Sequence, residues 1–386
     1  MDWKIDVADI NTWLDDYKGE RFHALICDPP YNLESIKKRY KGMSEESTGV
    51  VAERIKNRSD GMARLASGFM GQDWDTDVAF DSNLWRKIRN QMFPGAFGLA
   101  FSSTRTYHRL ATAIESAGFI IHPMFGWIQA SGFPKATNLS KGFSKRKEKE
   151  LADIWFGYFY GLQAVNPSME PVCFFQNPYE DDVKESIKTY GTGALNIEGS
   201  RYRSDYPHVI NRFTSGMKPF GNGVGEEYET IETEDLWPKN ILLEDTLEFL
   251  DEEKSKYFLS FKNYKYERKA STSEKDAGLL HLDDKTISDG RVKSIDNPYQ
   301  RGQTIRKNIH PTNKPIELIR YLATLLLPPE HYAPRRLLVP FSGVSSEMIG
   351  ASLAGWDFVQ GVELKEEYAS IGDARLEYWK NVNSND

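Results

Sequence analysis

A short apolar run, Phe22-His23-Ala24-Leu25-Ile26-Cys27, ends against Asp28-Pro29-Pro30-Tyr31, and this junction limits the fold more than any other stretch. The run has the length of a buried strand. Two consecutive prolines lack the N–H that a sheet ladder requires, so the strand stops there. Each proline also pushes the residue before it into extended geometry. Asp28 and Pro29 are thereby held nearly rigid at the carboxyl end of the strand.

The same alternation runs along the chain. A helical stretch carrying Leu84, Trp85, Ile88 and Met92 leads into an apolar run from Gly95 to Phe101. Tyr107, Leu110, Ala111, Ile114 and Ala117 recur at helical spacing, with Gly118 where a C-cap belongs. Ile120 to Ile128 and Pro171 to Phe175 read as further strands. Pro315 opens a helix with Ile316, Ile319, Ala323 and Leu326 on one face, closed by Pro328-Pro329. Leu337-Leu338-Val339 is a strand running into Phe341-Ser342-Gly343, and Ser345 and Ser346 can cap a helix from Glu347 to Leu353. Phe358 to Glu363 is the next strand and Glu366 to Trp379 a final amphipathic helix. Strands alternating with helices predict an α/β fold, with a parallel sheet covered on both faces.

Composition removes several classes. The chain has 386 residues, 40% hydrophobic, 27% charged and 13% aromatic, which suits a globular protein and not a disordered one. No stretch reaches the roughly 18 apolar residues of a membrane span. The start, Met1 to Asp6, lacks an apolar signal core, so a cytoplasmic location is expected. Cys27 and Cys173 are the only cysteines, which excludes a disulfide framework and a four-cysteine zinc site. A net charge of −7 argues against a surface coated in nucleic acid. Local basic segments remain, around Lys37, Lys38 and Arg39 and again at Lys145, Arg146 and Lys147, and they suit phosphate contact on one face. Two stretches, 32–74 and 177–306, are less regular and long enough to carry function or a small fold of their own.

Three constellations carry chemistry. At Asp28-Pro29-Pro30-Tyr31, a carboxylate and the Pro29 carbonyl side by side make a fork of two acceptors, matching an exocyclic amino group with its two N–H donors. Tyr31 adds an aromatic face for a base. This predicts methyl transfer to an amino group on a nucleobase; the plainer reading is a proline-ended strand whose aspartate caps a turn. The second is Val339 to Ser346, a glycine turn between strand and helix, with Glu363 about twenty residues on as an acid for ribose hydroxyls. A structural βα turn would look the same. The third is His310-Pro311-Thr312-Asn313-Lys314-Pro315, where Thr312 and Lys314 can reach a carboxylate at a helix start, or simply begin the helix.

Taken in order, these motifs resemble the DNA amino-methyltransferases of the β arrangement, in which the catalytic motif precedes the cofactor motif, and in particular the bacterial and phage-encoded adenine-N6 type. Asp28-Pro29-Pro30-Tyr31 matches the catalytic motif, His310 to Pro315 the methionine-side motif and Pro340-Phe341-Ser342-Gly343 the cofactor loop. Gly68-Phe69-Met70-Gly71, Thr104 to Leu110, Ser131 to Lys135, Tyr190 to Ile197 and Trp237-Pro238-Lys239-Asn240 echo the phage-type subgroup, so the match spans nearly the whole chain.

The resemblance implies a Rossmann-like α/β methyltransferase sheet with S-adenosyl-L-methionine as cofactor. It implies a catalytic half at 1–176 with a mobile DNA-contacting insertion at 32–74, a target-recognition region at 177–306 and a cofactor half at 307–386. Asp28, Pro29, Pro30 and Tyr31 would be catalytic. Asp9, Asp28, His310, Thr312, Lys314, Phe341, Ser342, Gly343 and Glu363 would bind cofactor, with Asp9 on its adenine and Glu363 on its ribose. The substrate would be double-stranded DNA with the target base flipped out. Phe125 or Trp127 would border the pocket, and Lys37, Lys38, Arg39, Lys145, Arg146 and Lys147 would meet phosphates. A restriction endonuclease partner and a monomer or homodimer in a bacterial or phage-infected cell also follow. Cytosine-N4 transfer uses the same fork but more often with serine in place of Asp28. A DNA-binding or scaffold protein with impaired catalysis is the alternative of another class. Two departures bear on it: Val339 stands where the family has aspartate, and Ser345 where it has a second glycine. Serine closes that turn only with φ below zero or with strain.

Overall fold

The computed structural model describes residues 2–31, 76–129, 134–180, 182–213, 228–243, 265–266, 269–287, 304–310 and 312–383. Among these, a ten-stranded sheet forms the centre. Its strands are β1 (Asp2–Val7), β2 (Phe22–Cys27), β3 (Met92–Phe101), β4 (Ile120–Ile121), β5 (Phe125–Ile128), β6 (Met169–Gln176), β7 (Ile241–Leu243), β8 (Lys265–Tyr266), β9 (Arg336–Pro340) and β10 (Phe358–Glu363). The order is β1-β10-β9-β2-β3-β6-β5-β7-β8, with β4 also paired to β6.

From Ala24 onward, residues of β2 alternate between two cores, as a pleated strand covered on both sides must, and an irregularity between Phe22 and Ala24 sets Phe22 with the odd-numbered residues. Ala24 and Ile26 join Leu337 and Val339 against helices Ile316–Leu326 and Ser346–Ala354. Phe22, Leu25 and Cys27 join Leu338 against helices Ile10–Asp16, Ser82–Asn90 and Tyr107–Ser116. Burial on both faces is why this strand reads as a continuous apolar run.

Strands β1, β10, β9, β2 and β3 are mutually parallel, as expected, but β6 runs antiparallel to both of its main neighbours, β3 and β5. The connection from β5 to β6 explains the reversal. It carries a two-stranded ribbon (Lys135–Asn138 with Phe159–Gln163) and two short helices, Leu139–Lys145 and Lys149–Ile154, that pack on each other. Among its described residues no crossover helix brings the chain back to the far end of the sheet, and the chain returns beside β5 in the opposite sense. The register sets Phe101 at the end of β3 opposite Val172 near the start of β6.

Other expectations shift locally. The stretch 120–128 is two strands and not one, broken around Pro123, which has no N–H to give to a ladder. Met92 begins β3 instead of ending the preceding helix, which stops at Asn90. From within 177–306, β7 and β8 extend the central sheet, and Tyr202–Phe213 pairs with Tyr228–Leu236 as a separate ribbon. Among the described residues no helix is long and apolar enough to cross a membrane, and no cluster of metal-ligating side chains occurs.

Candidate active site

The carboxyl ends of β1, β2, β3, β9 and β10 open on one edge of the sheet, the edge where open α/β sheets bind ligands. There they enclose a cavity of about 1120 Å³. Asp28, Pro29, Pro30 and Tyr31 line it, as do Asp9, His310, Thr312, Lys314, Phe341, Ser342, Gly343 and Glu363. Three motifs far apart in sequence thus meet at one place.

The loop after β9 is shaped by its backbone. Phe341, Gly343 and Ser345 all have positive φ, at 59°, 51° and 66°. The Gly343 N–H donates to Glu363 Oε2 at 2.8 Å, and the Lys365 N–H donates to Glu363 Oε1 at 2.9 Å. Burial holds the Glu363 carboxyl above its usual range, and these N–H groups oppose that rise. A Cβ on Gly343 would sit 3.2 Å from His310 Nε2, so a side chain there would crowd the neighbouring motif. Burial drives His310 down to about 4, so the imidazole is neutral, with Nδ1–H donating to the Thr312 carbonyl. Asp9 caps the first helix, its Oδ1 accepting from the Asn11 and Thr12 N–H groups.

Ser345 occupies the N-cap position of Ser346–Ala354 but does not cap it: its left-handed backbone turns the hydroxyl away from the helix N–H groups, and Oγ is buried without a hydrogen-bond partner. A serine here carries two costs, left-handed strain of about 1–3 kcal/mol and an unpaired buried hydroxyl of similar size. Ser345→Gly removes both and adds some unfolded-chain entropy. It is expected to raise the free energy of urea unfolding by about 1–2 kcal/mol at unchanged m-value; a loss of stability would show that the turn is not strained.

Asp28 belongs to a buried cluster of charged and polar side chains. Lys314 Nζ lies 2.6 Å from Asp28 Oδ2 and 2.7 Å from Glu170 Oε1, with all three side chains largely buried. The Tyr31 hydroxyl lies 2.6 Å from Asp28 Oδ1 and 2.5 Å from Glu170 Oε1. Lys314 also donates to that hydroxyl at 3.2 Å, and Gln129 Nε2 donates to Glu170 Oε2 at 3.0 Å. Burial works against the lysine charge, but Asp28 and Glu170 outweigh it and keep the ammonium protonated well above the usual lysine range. Burial, then the two carboxylates, push the Tyr31 phenol well above its ordinary value. The sequence places Lys314 at a cofactor carboxylate, and in the structure it lines the cavity. Its ammonium already faces two carboxylates of the protein, because it enters the cavity beside the β2 corner and over the Phe101 ring, 4.8 Å from the centroid.

Other candidates separate from the site. Phe125 and Trp127 are buried in the core and do not line the cavity; Phe125 packs edge-on against Phe174. Successive residues of β5 alternate across the sheet, and it is Ile128 and Gln129 at its end that reach the cavity. Lys145, Arg146 and Lys147 are exposed at the end of Leu139–Lys145, outside the cavity lining. Lys37, Lys38 and Arg39 lie outside the described residues.

No family model matches the chain, and no curated protein matches it by sequence. Among solved structures it is similar to M1.HpyAVI, at 11% identity and a TM-score of 0.41, over 97% of this chain and 98% of that one. It is similar to the cytosine-N4-specific PvuII DNA methyltransferase at 12% identity and 0.41, over 100% and 92%. A putative DNA modification methylase from Thermus thermophilus, TTHA0409, aligns at 12% identity and 0.42, over 98% and 95%.

Two acids in the cavity wall have no counterpart among the residues expected from the sequence: Glu170 and Glu347. Glu347 is 5% exposed in the first turn of Ser346–Ala354. Burial, then the negative charge of Asp28, push its carboxyl up to about 7. A carboxyl raised in the folded state contributes full stability below its unfolded value near 4.5, and loses it as pH rises through about 7. Glu347→Gln is accordingly expected to stabilise the fold by about 2–3 kcal/mol at pH 8 and to change little at pH 4. Urea unfolding at the two pH values measures this, and an equal effect at both would refute it.

Proposed function

We propose that this chain is an S-adenosyl-L-methionine-dependent DNA methyltransferase acting on N6 of an adenine flipped out of the duplex. The observation that supports this most is the meeting of the Asp28 corner with the Phe341–Gly343 loop and Glu363 around one cavity. The acceptor side of Glu363 suits ribose hydroxyls, and the Asp9 carboxyl suits the cofactor's adenine amine. His310 and Thr312 close the methionine side. When bound, S-adenosyl-L-methionine supplies an electrophilic methyl group on a sulfonium.

The protein's part is orientation and charge. Asp28 and the Pro29 carbonyl accept the two N–H groups of the exocyclic amine and favour a pyramidal nitrogen with a localised lone pair. Tyr31 presents its ring to the base. The net negative charge of Asp28 and Glu170 against one lysine favours the positive charge that grows on the nitrogen. An aspartate at this corner, where serine is commoner for cytosine-N4 transfer, favours adenine. Exposed Lys145, Arg146 and Lys147 would take phosphates of the flanking duplex, with binding that weakens steeply with salt.

The alternative is a DNA-binding protein with impaired catalysis, favoured by the strained Ser345 turn and by the Lys314 ammonium already seated on Asp28. Incubating the protein with labelled S-adenosyl-L-methionine and genomic DNA, then identifying the modified base, separates these readings. N6-methyladenine is expected; N4-methylcytosine would move the assignment to cytosine. DNA without label, with cofactor binding intact by calorimetry, would favour the impaired protein.

A further inference from the structure

We propose that Tyr31 and Glu170 form a proton relay behind Asp28, with Glu170 the group that finally receives the proton an exocyclic amine sheds on methylation. This rests on the reading of the site as an amino-methyltransferase. Three oxygens stand in a row: Asp28 Oδ1, the Tyr31 hydroxyl 2.6 Å from it and Glu170 Oε1 a further 2.5 Å on. Each separation is short enough for an O–H···O⁻ bond to an ionised acceptor. A phenol carries one proton, so it satisfies one of the two carboxylates at a time, and the row accommodates a second proton. Lys314 fixes both ends, donating to Asp28 Oδ2 and Glu170 Oε1. With both acids ionised the cluster is one negative charge in excess over Lys314, and one proton brings it to neutrality. Glu347 is the other titratable group set against Asp28 in this wall.

The amine lone pair forms the new N–C bond, and the carbon–sulfur pair returns to the sulfur of the sulfonium donor. The N–H bond breaks with its pair left on nitrogen, and the proton passes to Asp28 Oδ1. Tyr31 accepts that proton on its oxygen while giving its own to Glu170 Oε1. Asp28 is again a carboxylate, Tyr31 again a phenol, and Glu170 is the neutral acid. Glu170 lines the same cavity and returns the proton to solvent once product leaves.

Two variants interrupt the row without removing its shape. Tyr31→Phe keeps the ring that faces the base, and Glu170→Gln still accepts from Lys314 and Tyr31 but cannot take a proton. Each is expected to slow single-turnover methyl transfer about tenfold to a hundredfold. The double variant should be no slower than the worse single, because both cut one path. Glu170→Asp should recover part of the loss. Wild-type rates in either single variant, or losses that multiply in the double, would overturn the relay. A second readout needs no substrate. In the protein alone the short hydroxyl proton should give a far-downfield NMR resonance, lost in Tyr31→Phe and displaced in Glu170→Gln; a spectrum unchanged in both variants would also overturn it. Wild-type protein that methylates no DNA overturns the reading of the site itself, whereas active wild type with unaffected variants overturns the relay alone.

Discussion

Replacing Asp28 with alanine is expected to lower methyl transfer by about 10³-fold or more while leaving S-adenosyl-L-methionine affinity within a few fold. Asp28 is one arm of the acceptor fork, and losing a group that acts on developing charge in a buried site typically costs about 10²–10³ in rate. Alanine adds a second penalty. Lys314 would keep its charge on Glu170 alone, beside a nitrogen becoming positive, and the excess negative charge of the cluster would vanish. The proposed cofactor contacts at Phe341–Gly343 and Glu363 are made by other segments, so affinity should persist. Single-turnover kinetics and calorimetry on the same preparation measure both. Equal turnover of variant and wild type would remove Asp28 from the chemistry.

Lys314→Met should destabilise the fold by about 3–5 kcal/mol, the usual result of deleting one partner of a buried ion pair. Here one lysine serves two carboxylates that both approach the Tyr31 hydroxyl, and without it they face each other across that oxygen with little solvent between. Urea unfolding of variant and wild type at pH 7 tests this. A loss under about 1 kcal/mol would mean that solvent screens the cluster.

Much of the fold can be read from periodicity. The β2 run with its diproline stop, the helix opened by Pro315 and the strand–turn–helix at Leu337 to Leu353 stand where local signals put them, because the same residues that pack the core also carry the local preference. The direction of β6 could not be read this way, since a strand buried on both faces has the same composition whichever way it runs. Nor could the partner of Lys314, which lies 286 positions away and is brought near only by the sheet order. Glu170 is an acid just before Pro171 at the start of an apolar strand, and that pattern reads equally as a solvated strand end. Phe125 and Trp127 show the converse: aromatic residues near the site by strand order, but turned into the core by the pleat.

The reversed strand has a consequence for how this cleft can change. In a sheet of uniform direction, only segments that follow strands reach the binding edge. Because β6 opposes its neighbours, its beginning arrives there, and Glu170, its second residue, enters the wall together with the segment that precedes the strand. That segment, 134–168, leaves the sheet and comes back to it, and its final residues, Gln163 to Ser168, form part of the rim. Lengthening, trimming or exchanging this excursion would remould one side of the chamber while the diproline corner and the glycine turn, anchored on other strands, keep their positions.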